Sequence, residues 1–408
     1  MRTYEKYKDS GISWIGKVPD DWNVCKFKYT INIRNGKDYK DVQSDSNNDY
    51  PVYGSGGIFA YAKKYLYDGE ALLLGRKGTI DKPIYIQKEK FWTVDTMFYG
   101  LATNGNVCKY LYYQALTFPF GRYATSTALP SMTQSDLGNN PICLPSIPEQ
   151  EAIANYLDKK TAEIDKIIAE REKKIELLNE LKSSIISRAV TKGINPHAKM
   201  KDSGIDWIGE IPEDWQVMKI KHIGKIFSGA TPATSNPQFW NGNIKWVTPV
   251  DMNGKYIFET GRNITQEGYE SCGTNLIEAD SIILSTRAPI GKIAINKVPV
   301  CTNQGCKSIV CDNINVGYCY YLLSTCTEEL NFLGSGTTFL ELSFSALANF
   351  AIPYPSISEQ EVIADYLNKK TEEIDKSIST IKNECILYKE YKQSLISEVV
   401  TGKRKVIE

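Results

Sequence analysis

The chain contains the same long helical pattern twice, and this repeat limits how it can fold. The first copy starts at Ser146 with SIPEQEAIANYLDKKTAEIDK, and the second starts at Ser356 with SISEQEVIADYLNKKTEEIDK. In both copies apolar residues recur at three- and four-residue intervals, which places them on one face of a helix. Each copy begins with an S-x-x-E capping box, and Gly193 follows the first copy. We therefore predict long helices over residues 146–193 and 356–408.

A helix of this length, with one apolar stripe and otherwise charged faces, needs a partner that covers the stripe. Adding 210 to the residue numbers, a shift that we call the repeat offset, carries the stripe of the first copy onto that of the second. Two apolar seams of equal length in one chain favour an antiparallel coiled coil. Two unrelated surface helices are the alternative, and the repeated sequence argues against them. The residues expected to pair the helices are Ile164, Ile168, Ile175, Leu178, Ile185, Ile374, Ile378, Ile381, Tyr388 and Leu395.

A second repeat precedes each globular region. Residues 8–22 read KDSGISWIGKVPDDW and residues 201–215 read KDSGIDWIGEIPEDW; we call them the tryptophan segments. The chain is therefore built from a tryptophan segment, a globular region and a long helix, used twice. We place the globular regions in residues 1–145 and 194–355 and predict a mixed α/β fold with an internal pseudo-twofold repeat. The tryptophans are expected to pack where each globular region meets its helix.

The interiors of the two globular regions also correspond. LLL at residues 72–74, followed by GRKGTIDK, matches IIL at residues 282–284, followed by STRAPIGK. Each is the pattern of a short buried strand that leads into a turn. The remaining sequence of the two regions differs. Such divergence is expected if the helices serve assembly while the globular faces recognise different things, and drift after duplication is the simpler alternative.

Charge and composition exclude several classes of protein. The 48 Lys and Arg residues balance 48 Asp and Glu residues, which argues against holding nucleic acid by bulk electrostatics alone. Neither a run of about 18 apolar residues nor a signal peptide is present, so we expect a cytoplasmic protein. The ten cysteines form no C-x-x-C pair and only two histidines are present, which favours reduced thiols over a zinc site.

Patterns typical of catalysis are weak. The sequence has no phosphate-binding G-x-x-x-x-G-K-[ST] and no G-x-G-x-x-G after a strand. NPQF at residues 236–239 lacks the second proline of an adenine methyltransferase tetrad. Pro19-Asp20 with DYK at residues 38–40 matches a nuclease pattern only loosely. We expect no catalytic residue, metal site or cofactor on this chain. A self-contained DNA nuclease or methyltransferase, and a coiled-coil scaffold that reads no sequence, remain alternatives.

The loops after the two buried strands carry residue types that suit DNA recognition. Arginine can bind guanine through two hydrogen bonds, Gln and Asn suit adenine, and Ser, Thr and backbone N–H groups contact phosphate. Singly, such residues are usually solvated surface groups, but here they recur at corresponding places in two repeats. The candidate DNA-binding residues are Arg76, Lys77, Thr79, Lys82, Thr286, Arg287, Lys292, Gln304, Lys307, Gly336, Thr337 and Thr338.

Over essentially its whole length the chain resembles the DNA-specificity subunit of type I restriction-modification systems. The tryptophan segments and the two helix starts carry the resemblance, together with FSGATP, IKWVTPVDM, SIILSTRAPIGKIAI and TNQGCKSIV in the second globular region. The resemblance implies target recognition domains in residues 1–145 and 194–355, each reading one half of a bipartite DNA site. It also implies that helices 146–193 and 356–408 pair antiparallel and set the spacer between the half-sites.

The resemblance further implies partners. These are double-stranded DNA, two methyltransferase (modification) subunits docked on the helices, and two restriction (translocase and nuclease) subunits, with no membrane. S-adenosylmethionine, ATP and Mg²⁺ are expected on the partner subunits, and the chain itself is expected to be non-catalytic.

Overall fold

The chain divides into two compact units. The computed structural model describes residues 3–122, 130–334 and 340–406. Unit 1 comprises Met1–Glu172 and Lys382–Glu408, and unit 2 comprises Lys173–Ile381. Each unit is mixed α/β, as predicted, and both divisions fall inside a long helix, so each unit holds one globular region and part of each helix. The domain limits given above stay a prediction.

Unit 1 is organised around a seven-stranded sheet. The strands of unit 1 are β1 (Tyr7–Asp9), β2 (Lys17–Pro19), β3 (Asn23–Lys26), β4 (Ile31–Asn35), β5 (Gln43–Ser44), β6 (Tyr50–Gly54), β7 (Gly57–Ala62), β8 (Tyr67–Gly75), β9 (Ile84–Thr93), β10 (Met97–Ala102) and β11 (Pro141–Leu144). The helices of unit 1 are α1 (Cys108–Ala115), α2 (Gln134–Gly138), the first part of α3 (Ile147–Lys192) and the last part of α8 (Ile357–Val400). The sheet order is β4-β10-β8-β9-β6-β7-β5, and β8 runs antiparallel to both neighbours. The predicted buried strand at residues 72–74 lies in β8 and is fully buried.

Unit 2 has a five-stranded and a three-stranded sheet. Its strands are β12 (Met200–Asp202), β13 (Glu210–Pro212), β14 (Gln216–Lys219), β15 (Gly224–Ser228), β16 (Trp240–Val247), β17 (Tyr256–Ile257), β18 (Arg262–Ile264), β19 (Ser281–Ser285), β20 (Ile293–Asn296), β21 (Val300–Thr302), β22 (Cys306–Cys311) and β23 (Ala351–Tyr354). Its helices are the last part of α3, α4 (Gln266–Glu270), α5 (Val316–Thr325), α6 (Thr327–Phe332), α7 (Phe344–Asn349) and the first part of α8 (Ile357–Val400). The larger sheet has the order β15-β22-β19-β20-β17, and the smaller has the order β18-β16-β21. The predicted strand at residues 282–284 lies in β19 and is fully buried.

Glycines end both long helices. Lys192 is followed by Gly193 at φ 74°, and Val400 is followed two residues later by Gly402 at φ 73°. Because a side chain destabilises this left-handed conformation, glycine is the usual residue after a helix. The stop predicted at Gly193 is confirmed, whereas α8 ends at Val400, before the predicted limit of 408.

The tryptophan segments pack at the helix starts, as predicted. Trp22 is fully buried, and its indole Nε1–H donates to Glu149 Oε2 in the first turn of α3 at 3.1 Å. The hydroxyl of Tyr4 donates to the other Glu149 oxygen at 2.7 Å. Trp215 is likewise buried and donates to Glu359 Oε2 in the first turn of α8 at 3.0 Å. Each segment is therefore tied to the start of the helix that follows its own globular region.

These contacts change the role expected for the capping boxes. In α8 the Ser356 hydroxyl accepts from the Glu359 amide at 3.3 Å, which is half of the predicted box. The carboxylates of Glu149 and Glu359 bind the indoles rather than reaching back to the serine amides. A buried indole N–H needs an acceptor, and a glutamate in the first helical turn supplies one.

The predicted apolar face of the long helices is buried to different degrees. Buried members are Ile164, Ile168, Ile374, Ile378, Ile381 and Leu395, and half-buried members are Ile175, Leu178, Ile185 and Tyr388. Within unit 1, Ile164 and Ile168 from α3 and Leu395 from α8 belong to the main core, together with Trp22. The core of unit 2 includes Trp215 and Ile186.

Ion pairs join segments of α3 and α8 within each unit. In unit 1, Lys392 Nζ lies 2.6 Å from an Asp165 oxygen, and Lys389 Nζ lies 3.3 Å from Glu172. The residue number rises along α3 while it falls along α8, so the two segments run antiparallel. In unit 2, Lys182 Nζ lies 2.7 Å from Asp375.

All ten cysteines are free thiols, as predicted, and seven are buried; burial raises the pKa of Cys326, for example, to about 12. In the part of the chain that the structure describes, no helix has both the length and the apolar character needed to cross a membrane.

Candidate nucleic-acid interface

In unit 1, three chain segments meet at the end of β8. The amides of Arg76 and Lys77 both donate to the carbonyl of Thr96, at 2.9 and 3.2 Å. The amide of Met132 donates to the carbonyl of Arg76 at 2.9 Å, and Lys77 and Ser131 form an isolated β-bridge. These backbone bonds fix the loop that follows β8, so its side chains project from a rigid base.

The side chains of this loop line a groove of about 320 Å³. Arg76 Nη1 donates to the Asp95 carbonyl at 3.2 Å, and its guanidinium carbon lies 5.7 Å from the ring centroid of Phe98. Lys77 is exposed. Other residues lining the groove are Asn35, Ser131, Met132, Thr133 and Gln134. The groove therefore combines two cations with amide and hydroxyl groups that can both donate and accept hydrogen bonds.

Two further candidates in unit 1 lie on the same loop, outside this groove. Thr79 is half-buried and Lys82 is exposed. The following strand, β9, begins at Ile84, so the chain turns back into the sheet just after Lys82.

Unit 2 repeats this arrangement at the end of β19. The amide of Thr286 donates to the Gly305 carbonyl at 2.8 Å, and the amide of Leu342 donates to the Thr286 carbonyl at 2.8 Å. Arg287 and Glu341 form an isolated β-bridge. The repeat offset carries Met132 and Arg76, which are hydrogen-bonded in unit 1, onto Leu342 and Thr286. It likewise carries the bridged residues Lys77 and Ser131 onto Arg287 and Glu341. The loops predicted to correspond are thus held by the same backbone contacts.

A charged cluster lies on this framework. Arg287 Nε donates to Glu341 Oε2 at 3.0 Å, and the two side chains are 46% and 39% exposed. Lys307 is 5% exposed. Burial lowers the pKa of Lys307, the Glu341 carboxylate opposes this shift and Arg287 adds to it. The cluster brings together two cations and one carboxylate.

Gln304 and Thr231 lie in the adjoining loops. The Thr231 hydroxyl donates to Gln304 Oε1, and Gln304 is exposed. The structure therefore brings four predicted residues, Thr286, Arg287, Gln304 and Lys307, into neighbouring positions at one end of the sheet.

Two predicted residues of unit 2 have surroundings that differ from those of Arg287. Thr286 is fully buried and its hydroxyl donates to the Gly305 carbonyl at 3.4 Å, so it supports the loop from inside. Lys292 Nζ donates to the Pro249 carbonyl at 3.1 Å. Lys292 also lines a separate cleft of about 450 Å³, together with Lys255 and other residues. Gly336, Thr337 and Thr338 lie outside the residues that the structure describes.

Several residues of the two loop sites were not predicted from the sequence. They include Asn35, Phe98, Ser131, Met132, Thr133, Gln134, Thr231 and Glu341. Glu341 and Ser131 are related by the repeat offset, so extending the repeat alignment could have identified them. Gln134 donates to the Ile33 carbonyl at 2.7 Å, a contact across 101 residues that local sequence does not indicate.

The fold and its two corresponding loop sites define a duplicated α/β protein with one candidate recognition surface in each unit. Residues 19–177 and 212–384 match the family described as the type I restriction modification DNA specificity domain. The chain belongs to this family.

The alignments with similar proteins cover different shares of the chain. The type I restriction enzyme MjaIX specificity subunit of Methanocaldococcus jannaschii is 44% identical over 167 residues, which are 40% of this chain and only 39% of that protein. The putative MjaX specificity subunit of the same organism is 28% identical over an alignment of 425 residues, covering 96% of both chains. The EcoR124I/EcoR124II specificity subunit of Escherichia coli is 28% identical over 281 residues, covering 65% and 64%.

Solved structures share the fold. A chain from a structure described as the structural basis underlying complex assembly and conformational transition of the type I R-M system matches with a TM-score of 0.75, covering 94% of this chain and 98% of its own. The HsdS subunit from Thermoanaerobacter tengcongensis matches with a TM-score of 0.53, covering 95% and 98%. Both are 14% identical to this chain, so the likeness concerns the fold alone.

Proposed function

We propose that this chain is the DNA-specificity subunit of a type I restriction-modification complex, in which each globular region reads one half of a bipartite DNA site. The observation that carries the proposal is that one backbone framework presents different side chains in the two units. Arg76 and Lys77 stand in unit 1 where Thr286 and Arg287 stand in unit 2. Sequence is read by side-chain contacts to base edges, so a shared framework with unlike side chains suits two different half-sites.

The loop residues divide by their chemistry. In unit 1, Arg76 and the amides of Asn35 and Gln134 are candidates for base edges, while Lys77 is suited to phosphate. Thr79 and Lys82, on the same loop, are further phosphate candidates.

In unit 2, Arg287 and Gln304 are exposed enough to reach DNA, and Lys307 adds positive charge behind them. Thr286 has a supporting role in this proposal because its side chain is buried. Lys292 is a weaker candidate, because its amine binds the Pro249 carbonyl and the residue lines a separate cleft. The Gly336, Thr337 and Thr338 segment keeps its candidate status from sequence alone.

The two long helices act as the spacer in this proposal, paired as an antiparallel coiled coil. The ion pair of Asp165 with Lys392 in unit 1 and that of Asp375 with Lys182 in unit 2 support the pairing. The repeat offset carries Asp165 onto Asp375 and Lys182 onto Lys392, so the two pairs correspond as a pseudo-twofold arrangement requires. Such symmetry lets one chain recruit two copies of the same partner.

The partners in this proposal are double-stranded DNA, two methyltransferase subunits docked on the helices, and two restriction subunits. S-adenosylmethionine, ATP and Mg²⁺ belong to those partners, and this chain contributes recognition without catalysis. A cytoplasmic location, expected from the sequence, is part of the same proposal.

Modified-base sequencing of host DNA, with and without this gene, tests the function. We expect a split motif of two short half-sites to lose adenine methylation when the gene is deleted. Residues 216–354 are the part of the second globular region that follows its tryptophan segment. Their exchange for the corresponding residues of another member of the family should then change one half-site and leave the other intact. If every methylated motif persists after deletion of the gene, in a host whose methyltransferase subunit is expressed and active, the proposal is contradicted.

The two alternatives give different results with purified protein. A self-contained enzyme would modify DNA alone when supplied with Mg²⁺ or S-adenosylmethionine, whereas a specificity subunit requires its partner. A scaffold that reads no sequence would tolerate loss of charge at Lys77 and Arg287, with no change in DNA binding by the complex or in the methylated motif.

A further inference from the structure

The guanidinium of Arg287 is anchored along one edge. Its Nε–H donates to Glu341 Oε2 at 3.0 Å, and the two residues face each other across a β-bridge. Among the residues that the structure describes, no acceptor is hydrogen-bonded to its two terminal nitrogens. Because Nε is already bound, those terminal nitrogens remain as a pair of donors with a fixed direction. The side chain is 46% exposed, so this pair is accessible from outside.

A fixed pair of parallel N–H donors matches the O6 and N7 acceptors of guanine in the major groove. Phosphate is the competing partner for arginine, and the adjacent carboxylate distinguishes the two. Glu341 cancels charge that would attract phosphate and repels the phosphate oxygens. A base edge is nearly neutral, so recognition there depends on orientation, which Glu341 supplies.

Lys307 completes the arrangement from the buried side. It lies in the same charged cluster and is only 5% exposed. Its ammonium group and the Glu341 carboxylate attract each other, which helps to hold the carboxylate within the cluster. A carboxylate accepts a stronger hydrogen bond from Arg287 Nε–H than a neutral group would.

Unit 1 does not repeat this cluster. Lys77 and Ser131 occupy the bridge positions of Arg287 and Glu341. Phe98 pairs with Leu74 as Lys307 pairs with Leu284, so an aromatic ring replaces the buried cation. A lysine offers a point charge without the planar fork, so the two loops suit different DNA contacts.

We infer that residues 216–354 recognise a guanine in their half of the DNA site through Arg287, which Glu341 holds in a fixed orientation. The inference rests on the proposed function, because it assumes that this half-site is read by unit 2. In this arrangement Arg287 contacts the base, and Glu341 is a positioning residue that acts through Arg287.

The first test is methylation sequencing of cells that express the partner methyltransferase with wild-type or variant chain. The wild-type half-site assigned to residues 216–354 by domain exchange should contain an invariant guanine. Arg287→Lys keeps the charge but removes the fork, so it should relax that one position and leave the other half-site unchanged. Glu341→Ala should relax the same position, and Glu341→Gln, which retains an acceptor, should do so less. Lys225→Ala, at an exposed lysine on β15, is the matched control and should leave the motif unchanged.

The second test measures binding of the purified complex to duplexes in which 7-deazaguanine replaces that guanine. Loss of N7 should weaken wild-type binding roughly 10- to 100-fold and should have little effect on the Arg287→Ala complex. Equal weakening of both complexes overturns the inference, as does an unchanged motif with Arg287→Lys or a half-site without guanine. Absence of any split motif in wild-type cells instead contradicts the proposed function itself, so the two failures are distinguishable.

Discussion

Lys392 Nζ lies 2.6 Å from the carboxylate of Asp165, and this pair joins α8 to α3 within unit 1. The pair recurs in unit 2 between Lys182 and Asp375, at 2.7 Å, with the roles of the two helices exchanged. The repeat offset carries Asp165 onto Asp375 and Lys182 onto Lys392, so in each pair a lysine of one helical copy meets the aspartate of the other copy.

The first prediction concerns this ion pair. Asp165→Lys should destabilise unit 1, because it places two cations together, and the reversed pair Asp165→Lys with Lys392→Asp should recover most of the loss. The coupling free energy should be about 0.2–1 kcal/mol, since both side chains are partly exposed. Urea unfolding at low and high salt measures it, and salt should reduce the coupling. A coupling that is zero at low salt would contradict the prediction.

The second prediction concerns the buried face of the long helices. Ile168→Ala should lower the free energy of unfolding by about 2–3 kcal/mol, because Ile168 is 7% exposed in the core of unit 1. Leu387→Ala is the control within the same unit, since Leu387 is 62% exposed. The control should change stability by less than about 0.5 kcal/mol. Equal effects of the two variants in thermal unfolding would show that the predicted face is not the packed one.

The third prediction concerns the contact between Trp215 and Glu359. Burial raises the pKa of Glu359, while the indole hydrogen bond lowers it. Trp215→Phe should therefore raise this pKa further and destabilise unit 2 by about 1–2 kcal/mol. Glu359→Gln retains an acceptor and should cost less.

Glu359 should also affect the dependence of stability on pH. Its pKa is raised in the folded chain, so the native state binds more protons than the unfolded state just above the ordinary glutamate pKa. Stability contributed by this group therefore falls as pH rises through that interval. Glu359→Gln should remove this pH-dependent contribution to the free energy of unfolding. Urea unfolding followed by circular dichroism at several pH values measures it. An identical pH profile for the wild type and the variant would contradict this assignment.

The repeats in the sequence predict much of the fold. Both helix starts lie within one residue of the predicted Ser146 and Ser356, because capping residues and periodicity are local signals. The buried strands β8 and β19 follow from short apolar runs before turns. Packing at Trp22 is likewise confirmed, although the sequence does not reveal that Glu149 accepts its N–H rather than closing the capping box.

The recognition loops could be predicted only in part. Arg287 was identified because it follows a buried strand, whereas Glu341 approaches it from 54 residues away and has no local signal. Lys292 shows a second limit of prediction from sequence, because it was predicted to join the loop site. Its backbone pairs with Ser285 beside the loop, but its amine extends to the carbonyl of Pro249. Side-chain direction depends on the folded backbone, so proximity in sequence could not establish it.

The fourth prediction concerns Lys77 and the first half-site. Lys77→Ala should weaken DNA binding by the assembled complex similarly for all sequences, because an exposed lysine on this loop suits phosphate. The slope of log K against log salt should fall in magnitude by about 0.9. Lys88→Ala, at another exposed lysine of unit 1, should leave both quantities unchanged. A change in the methylated motif without a change in salt slope would assign Lys77 to a base instead.

An aromatic cleft surrounds Lys255 in unit 2. Its Nζ lies 4.3 Å from the ring centroid of Tyr321 and 5.1 Å from that of Tyr320, and it donates to Asn368 Oδ1 on α8. In unit 1, Lys109 instead pairs with a carboxylate, that of Asp158, which the repeat offset carries onto Asn368. The amide in unit 2 thus occupies the place where unit 1 supplies a negative charge.

The fifth prediction follows from this difference. Burial, with a smaller contribution from Lys297, lowers the pKa of Lys255 to about 8. The unfolded chain holds this proton up to about 10.4, so between these values it binds more protons than the native state, and stability contributed by Lys255 rises with pH. Asn368→Asp restores a carboxylate, so it should raise the pKa of Lys255 and remove that rise. The pH dependence of Lys255 labelling by an amine reagent, read by mass spectrometry, measures the shift. Lys225, exposed in the same unit, is the internal control, and an unchanged half-labelling pH for Lys255 would show that the missing carboxylate does not set its pKa.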